Sequence, residues 1–260
     1  MERPKELPQS VNRMLAELLA GIRQALGDNL VGFYLRGSLV TGDFDPATSD
    51  LDLLAVTDPP VDAAELAALA DLHARLAAFP NPFATETEIA YIDRASLRRY
   101  QPGQRHPTLG RGETLAWTEH HENWVLERWV VREHGIALYG PDPRTLIDPI
   151  PAAALVTAVR TRLRNWVDWV NQPDDPDWLL PRRHKTYVIE TMCRALYTLR
   201  QGELASKRQS VAWAMTMLPE PWRTLVAMSQ TWRTDDTVDL SVNSDVRRFV
   251  LWVADEARAI

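Results

Sequence analysis

Residues 36 to 52 read RGSLVTGDFDPATSDLD and lie between two apolar runs. Asp50 and Asp52 stand two apart at the start of a strand, so both carboxylates leave the same face and can reach one metal ion. Neighbouring carboxylates repel, and burying them together is costly unless a cation lies between them. Magnesium meets that need, because it takes one or two carboxylates and fills its shell with water and phosphate oxygens. Gly37 and Ser38 close the preceding strand with an uncrowded backbone N–H and a hydroxyl, a pair suited to a phosphate held opposite that ion. Gly42 lets the chain turn back, and Asp43, Asp45 and Pro46 read as a solvated turn. The Gly-Lys-Ser/Thr element of a Walker loop is missing, and no Gly-x-Gly-x-x-Gly opens a helix. Two further carboxylates, Glu86 and Glu88, stand two apart on a third strand, where they share a face and either can accept a proton.

The elements that must position these groups follow from periodicity. Ser10 can cap an amphipathic helix with apolar residues at Val11, Met14, Leu15, Leu18, Leu19 and Ile22, ending near Gly27. LVGFYLRG is a strand run closed by glycine, and LDLLAVTD is a second, in which Leu51, Leu53 and Ala55 alternate with Asp52, Leu54 and Val56. An alanine- and leucine-rich helix is expected over 62–79, and a third strand over 84–92. The prolines of IDPIPAAA mark a boundary near residue 150, after which helices are expected near 152–170, 182–201, 208–217, 221–232 and 243–258. The expected fold class is therefore α+β: a first domain, 1–150, built on a small mixed sheet with helices, and an all-α helical bundle, 151–260, with a cleft expected between them.

The 260 residues, 45% of them apolar, are enough for a real core. A formal net charge of −6 argues against a general binder of nucleic acid or anionic membranes and favours cationic or small-molecule partners. No run approaches the roughly 20 apolar residues of a spanning helix, and MERPKELPQSVNRM lacks the apolar stretch of a signal peptide, so a cytoplasmic protein without a membrane partner is expected. The single cysteine, Cys193, excludes an internal disulfide and falls in an apolar helical pattern that suits a buried thiol. Trp124, Trp129, Trp166, Trp213 and Trp252 fall at helical spacing and read as core, and His120 and His121 read as capping or surface residues before a helix.

Gly37-Ser38, Ser49-Asp50-Leu51-Asp52 and the acidic third strand together resemble the DNA polymerase beta-like nucleotidyltransferase superfamily. Within it the chain is similar to the aminoglycoside 3''-type (streptomycin/spectinomycin) adenylyltransferases over nearly its whole length, with GIALYGPDPRTLIDPIP at 135–151 and GELASKRQSVAWAMTMLP at 202–219 in support. The resemblance implies a nucleotidyltransferase domain followed by a helical domain. It also implies an enzyme that moves AMP from ATP to a hydroxyl of a small cationic acceptor, an aminoglycoside or aminocyclitol, with release of pyrophosphate. In that scheme Asp50 and Asp52 hold magnesium, two ions in all, and Ser38 and Ser49 hold phosphate oxygens. Glu88 opens the stretch EIAYID that matches the family's acidic strand, which implies Glu88 as the base beside the metals and leaves Glu86 for cationic groups of the acceptor. Arg194 and Lys207 match the family's nucleotide-phosphate residues, and both domains close on ATP.

Acidic residues would attract such an acceptor, the candidates being Glu113, Glu119, Glu122, Asp174, Asp175 and Asp177, with Trp117 and Trp169 as flat walls. Where streptomycin-modifying members carry acidic residues, this chain reads LLPRRHKTY, so repulsion of a guanidinylated acceptor is expected from Arg182, Arg183, His184 and Lys185. Two alternatives stand beside this reading: transfer to a protein or RNA partner, and a catalytically idle nucleotide-binding module. Charge argues against RNA, and retention of the repelling carboxylates argues against idleness. A monomer is expected.

Overall fold

The computed structural model describes residues 7–260. It divides into two units, one reaching to Ile150 and the other running from Pro151 to Ile260.

The first unit runs α1 (Gln9–Leu26), β1 (Leu30–Leu35), α2 (Ser38–Thr41), β2 (Leu51–Thr57), α3 (Ala63–Ala77), β3 (Thr87–Asp93), α4 (Arg94–Arg98), β4 (Arg105–Leu109), β5 (Ala116–Glu119), α5 (Asn123–His134) and β6 (Ile136–Tyr139). The sheet order is β5-β4-β3-β2-β1-β6. β2 and β3 pair in parallel and the other neighbours are antiparallel. A parallel pair needs a crossover, and α3 supplies it, started by a capping box in which Asp62 accepts the Glu65 N–H and Glu65 accepts the Asp62 N–H.

Both faces of the sheet are buried, and the period of two decides which residue goes where. Phe33, Leu35, Leu51, Leu53, Ala55, Ile89 and Tyr91 join the stripe of α1 (Val11, Met14, Leu15, Leu18, Ile22, Leu26) and Leu69, Leu72 and Leu76 of α3 in one core. Tyr34, Leu54, Val56, Ala90 and Ile92 face the other way, into a second core with Leu97 of α4 and Trp124 and Val131 of α5. Arg36, Asp52 and Glu88 have the parity of this second set, so the pleat carries them to the face that α5 covers.

The third strand begins later than the alternation predicts, at Thr87, because Asn81 to Glu86 are spent in turns held by Ala84 N–H to the Asn81 carbonyl and Glu86 N–H to the Phe83 carbonyl. Strands β4, β5 and β6 and helices α2 and α4 were not expected, whereas α5 is the helix expected after His121.

The second unit is helical: α6 (Ala152–Val170), α7 (Arg182–Gln201), α8 (Lys207–Met217), α9 (Trp222–Ser229) and α10 (Asn243–Ala259), with a 3-10 turn over Gln230–Trp232 completing the segment expected at 221–232. α7 is the central helix, burying Val188, Ile189, Met192, Cys193 and Leu196 completely and packing on α6, α8, α9 and α10. Burial pushes the Cys193 thiol pKa up, which makes it an inert core residue. No helix of the described residues is long and apolar enough to cross a membrane.

Three histidines of the first unit are buried: His73, whose Nε2 meets the Tyr91 hydroxyl at 2.7 Å, and the neighbours His106 and His120. Desolvation drives their pKa values down, to about 4 for His73 and His106 and about 2 for His120, where His106 and Arg128 add to the effect. Below pH 6.5 the unfolded chain therefore takes up protons that the folded chain refuses, so stability falls as pH drops, by up to roughly 1.4 kcal/mol per pH unit for each histidine. Urea unfolding at pH 7, 6 and 5 should show this loss well above the carboxylate range. His73→Gln, which can keep the bond to Tyr91 without titrating, should flatten the slope by about one proton's worth.

Candidate active site

Parallel pairing of β2 and β3 sets Asp52 directly beside Glu88. Asp50, two residues before Asp52, joins them, and all three half-buried residues offer carboxylate oxygens within 4.8 Å of one another. This is the chemistry of a hard divalent cation: oxygen donors only, close enough together that a cation among them relieves their repulsion. Burial raises the Glu88 pKa to about 7, helped by Asp52, Asp50 and Glu127 and opposed by Arg36. A carboxyl group that titrates near neutrality is well placed to take up a proton during a reaction.

Two residues that the sequence reading passed over complete the cluster. The Arg36 guanidinium, 7% exposed, contacts Asp52 Oδ1 at 3.0 Å and Glu127 Oε2 at 2.8 Å through Nη1, and Glu88 Oε2 at 3.8 Å through Nη2. Its Nε donates to the Leu53 carbonyl at 3.3 Å, and its Cζ lies 5.5 Å from the centre of the Trp124 ring. Burial works against the charge on Arg36, but Asp52, Glu127, Glu88 and Asp50 outweigh it, and the pKa is raised. Glu127 comes from α5, one turn after Trp124.

Beside the carboxylates the chain makes a tight corner. Gly37 has φ 63° and ψ −144°, and a Cβ there would overlap the Asp52 carboxylate, so only glycine fits. Gly42, at φ 82°, ends α2 with its N–H on the Ser38 carbonyl. The Ser38 Oγ is buried without a hydrogen-bond partner, an open valence beside the acidic cluster. Ser49 is engaged within its own loop: its Oγ accepts the Asp45 N–H at 3.0 Å and its N–H donates to the Asp45 carbonyl at 2.8 Å. Its hydroxyl hydrogen is left to donate elsewhere.

The remaining candidates of the first unit are not members of this cluster. Glu86 precedes β3 and forms an ion pair with Arg111, so of the two third-strand acids Glu88 alone joins Asp50 and Asp52. Trp117 is exposed on β5, with Glu113 and Glu119 exposed near it in sequence and Glu122 just before α5. In the second unit Trp169 is half-buried, its ring stacked on Trp178 at 4.4 Å and edge-on to Trp166. Asp175 is spent capping a short turn, Asp174 is exposed, and Asp177 gives its carbonyl to Lys185. Arg194 is half-buried on α7, and Lys207 opens α8 with its Nζ 5.7 Å from the centre of the Tyr187 ring.

Two expectations are corrected. The positive charge of segment 182–185 is paired: Arg182 meets Asp235 at 3.2 Å and Asp239 at 2.6 Å, and the exposed Arg183 meets Asp236 at 2.9 Å. Lys185 is buried on the carbonyls of Asp177 and Trp178, and burial lowers the His184 pKa. The partners lie some fifty residues downstream, out of reach of a local charge count. His120 is likewise no surface residue, being 1% exposed and stacked on Trp124 at 3.7 Å, whereas His121 is exposed.

Residues 16–99 match the nucleotidyltransferase domain family, and residues 145–256 match the family described as aminoglycoside adenylyltransferase, C-terminal domain. The chain is 30% identical over 227 residues to the aminoglycoside (3'') (9) adenylyltransferase of Klebsiella pneumoniae, covering 83% of this chain and 82% of that one. The chain belongs to the aminoglycoside adenylyltransferase family. It is an enzyme of the nucleotidyltransferase class. The spectinomycin 9-adenylyltransferase of Staphylococcus aureus is 23% identical over 80% of each chain. The crystal structure of spectinomycin adenyltransferase AAD(9) from Enterococcus faecialis, solved with ATP and spectinomycin, shares the fold with a TM-score of 0.74 at 17% identity, over 95% of this chain and 99% of that one.

Gly37→Ala puts a methyl group into the Asp52 carboxylate at a backbone conformation that L-residues avoid. In this adenylyltransferase-family chain it should cost about 2 kcal/mol in urea unfolding. It should also spread the three carboxylates, read as weakened Mn²⁺ binding in calorimetry.

Proposed function

We propose that this enzyme transfers AMP from ATP, in the presence of magnesium, to a hydroxyl of an aminoglycoside or aminocyclitol, releasing pyrophosphate. The observation that carries the reading is the set of three carboxylates within 4.8 Å beside the Gly37-Ser38 corner, whose buried hydroxyl has no partner in the protein. Asp50 and Asp52 are the residues we assign to magnesium, with Glu88 in ligand reach; the oxygen-only donor set fits that ion. Magnesium, when bound, supplies neutralisation of triphosphate charge and of the charge that develops on the leaving group.

The protein's own part is positioning and proton transfer. Ser38 and Ser49 donate to phosphate oxygens, and Arg194 and Lys207 are assigned to the triphosphate charge. The acceptor hydroxyl oxygen bonds to the α-phosphorus while the bond from that phosphorus to the α–β bridging oxygen breaks. Pyrophosphate leaves with the electron pair, and the hydroxyl proton passes to a Glu88 carboxylate oxygen. The relatives named as aminoglycoside and spectinomycin adenylyltransferases support the acceptor class. Pairing of Arg182 and Arg183 with aspartates weakens the electrostatic argument against a guanidinylated acceptor, so streptomycin and spectinomycin both belong in the test.

Pyrophosphate release should require ATP, magnesium and one of these acceptors together. No release with any aminoglycoside or aminocyclitol overturns the acceptor class. Glu88→Gln should keep ATP binding and slow transfer by at least about 100-fold. Ser38→Ala removes a hydroxyl that bonds nothing in the free protein. It should leave urea stability within about 0.5 kcal/mol of the parent while weakening ATP binding by roughly tenfold in calorimetry.

A further inference from the structure

Arg36 raises a question that the transfer reaction does not answer. A fixed guanidinium beside a divalent-ion site repels the ion, and repulsion alone would make the residue a liability. Yet Arg36 is more tightly built in than the carboxylates it touches. Its side chain is 8% exposed, while those of Asp52 and Glu88 are 14% and 36% exposed. It is held from three directions: by Glu127 of α5, by the Leu53 carbonyl of β2 and by the face of Trp124. From that mounting it reaches Asp52 at 3.0 Å and Glu88 at 3.8 Å, which are neighbours on parallel strands and repel each other.

We infer that Arg36, anchored by Glu127, is a positioning residue that holds Asp52 and Glu88 together in ligand geometry before any divalent cation binds. The inference rests on the proposal that Asp50, Asp52 and Glu88 receive that cation. Asp50, Asp52, Glu88 and Glu127 carry four formal negative charges against one positive charge on Arg36. The guanidinium offsets part of the repulsion and leaves a net negative charge for the ion to meet. Arg36 directly precedes the Gly37-Ser38 corner, and its N–H donates to the Asp52 carbonyl at 2.9 Å, so one residue ties the acidic cluster to the corner in both main chain and side chain.

The two roles that Arg36 can have predict opposite signs. If it were a bystander charge, removing it would tighten cation binding. If it positions the ligands, removing it weakens binding despite the repulsion relieved. Mn²⁺ titration of the full chain without nucleotide, followed by calorimetry, reads the sign directly and needs no turnover. Arg36→Gln should bind Mn²⁺ about tenfold more weakly, the usual effect of losing a partner that orients a metal ligand. Arg36→Lys should recover only part of this, because an ammonium cannot serve Asp52, Glu88 and Glu127 at once in the planar fork that a guanidinium provides. Glu127→Gln keeps the Arg36 charge and loosens its anchor, so weaker Mn²⁺ binding is expected there too. It also decides the question if circular dichroism shows that Arg36→Gln does not fold. Unchanged or tighter binding in Arg36→Gln, or in Glu127→Gln where the former is unfolded, overturns the role of Arg36 alone. A parent chain that takes up no Mn²⁺, or takes it up equally with Asp50→Asn, overturns the metal assignment and this inference with it.

Discussion

The guanidinium of Arg36 is inserted among Asp52, Glu88 and Glu127 at the rim of a sheet that is apolar on both faces. Removing charge from water at such a place is unfavourable, and the arrangement persists because each carboxylate finds either this cation or partial solvent. The parallel β2–β3 register, the glycine at position 37 and the docking of α5 each serve the same end: to bring anionic groups close without letting them separate into solvent. The raised Glu88 pKa reflects first its burial and then the neighbouring carboxylates, whose effect the single arginine only partly offsets.

Much of this was legible in the sequence. Alternation in LDLLAVTD fixes which of its residues face the same way, and the pleat then carries Asp52 to the face shared by Leu54 and Val56. The helices of the second unit follow from apolar spacing almost residue by residue, because α6, α7 and α10 each carry a long buried stripe and proline stands directly before α6, α7 and α9. The short strands were hidden for the opposite reason. β5 is exposed along its whole length and shows no alternation, while β6, IALY, alternates in burial but is apolar at all four residues, so its sequence does not mark the buried face.

Glu127 could not be found locally, since the contact that gives it meaning spans ninety-one residues. Arg36 did leave a trace: it has the parity of Tyr34, which lies in the core, and four nearby acids demanded a cation from the protein itself. The same blindness to distance produced the misreading of residues 182–185, where a basic run looked open and is paired with aspartates beyond α9.

That pairing has an evolutionary corollary. Arg182 sets one positive charge against two aspartates, Asp235 and Asp239, so one substitution there deepens the negative charge of this trio by a full unit. Such a change leaves the Gly-Ser corner and the strand carboxylates untouched. The attraction of the helical unit for polycations can thus diverge between descendants in a single mutational step while the phosphate chemistry stays fixed.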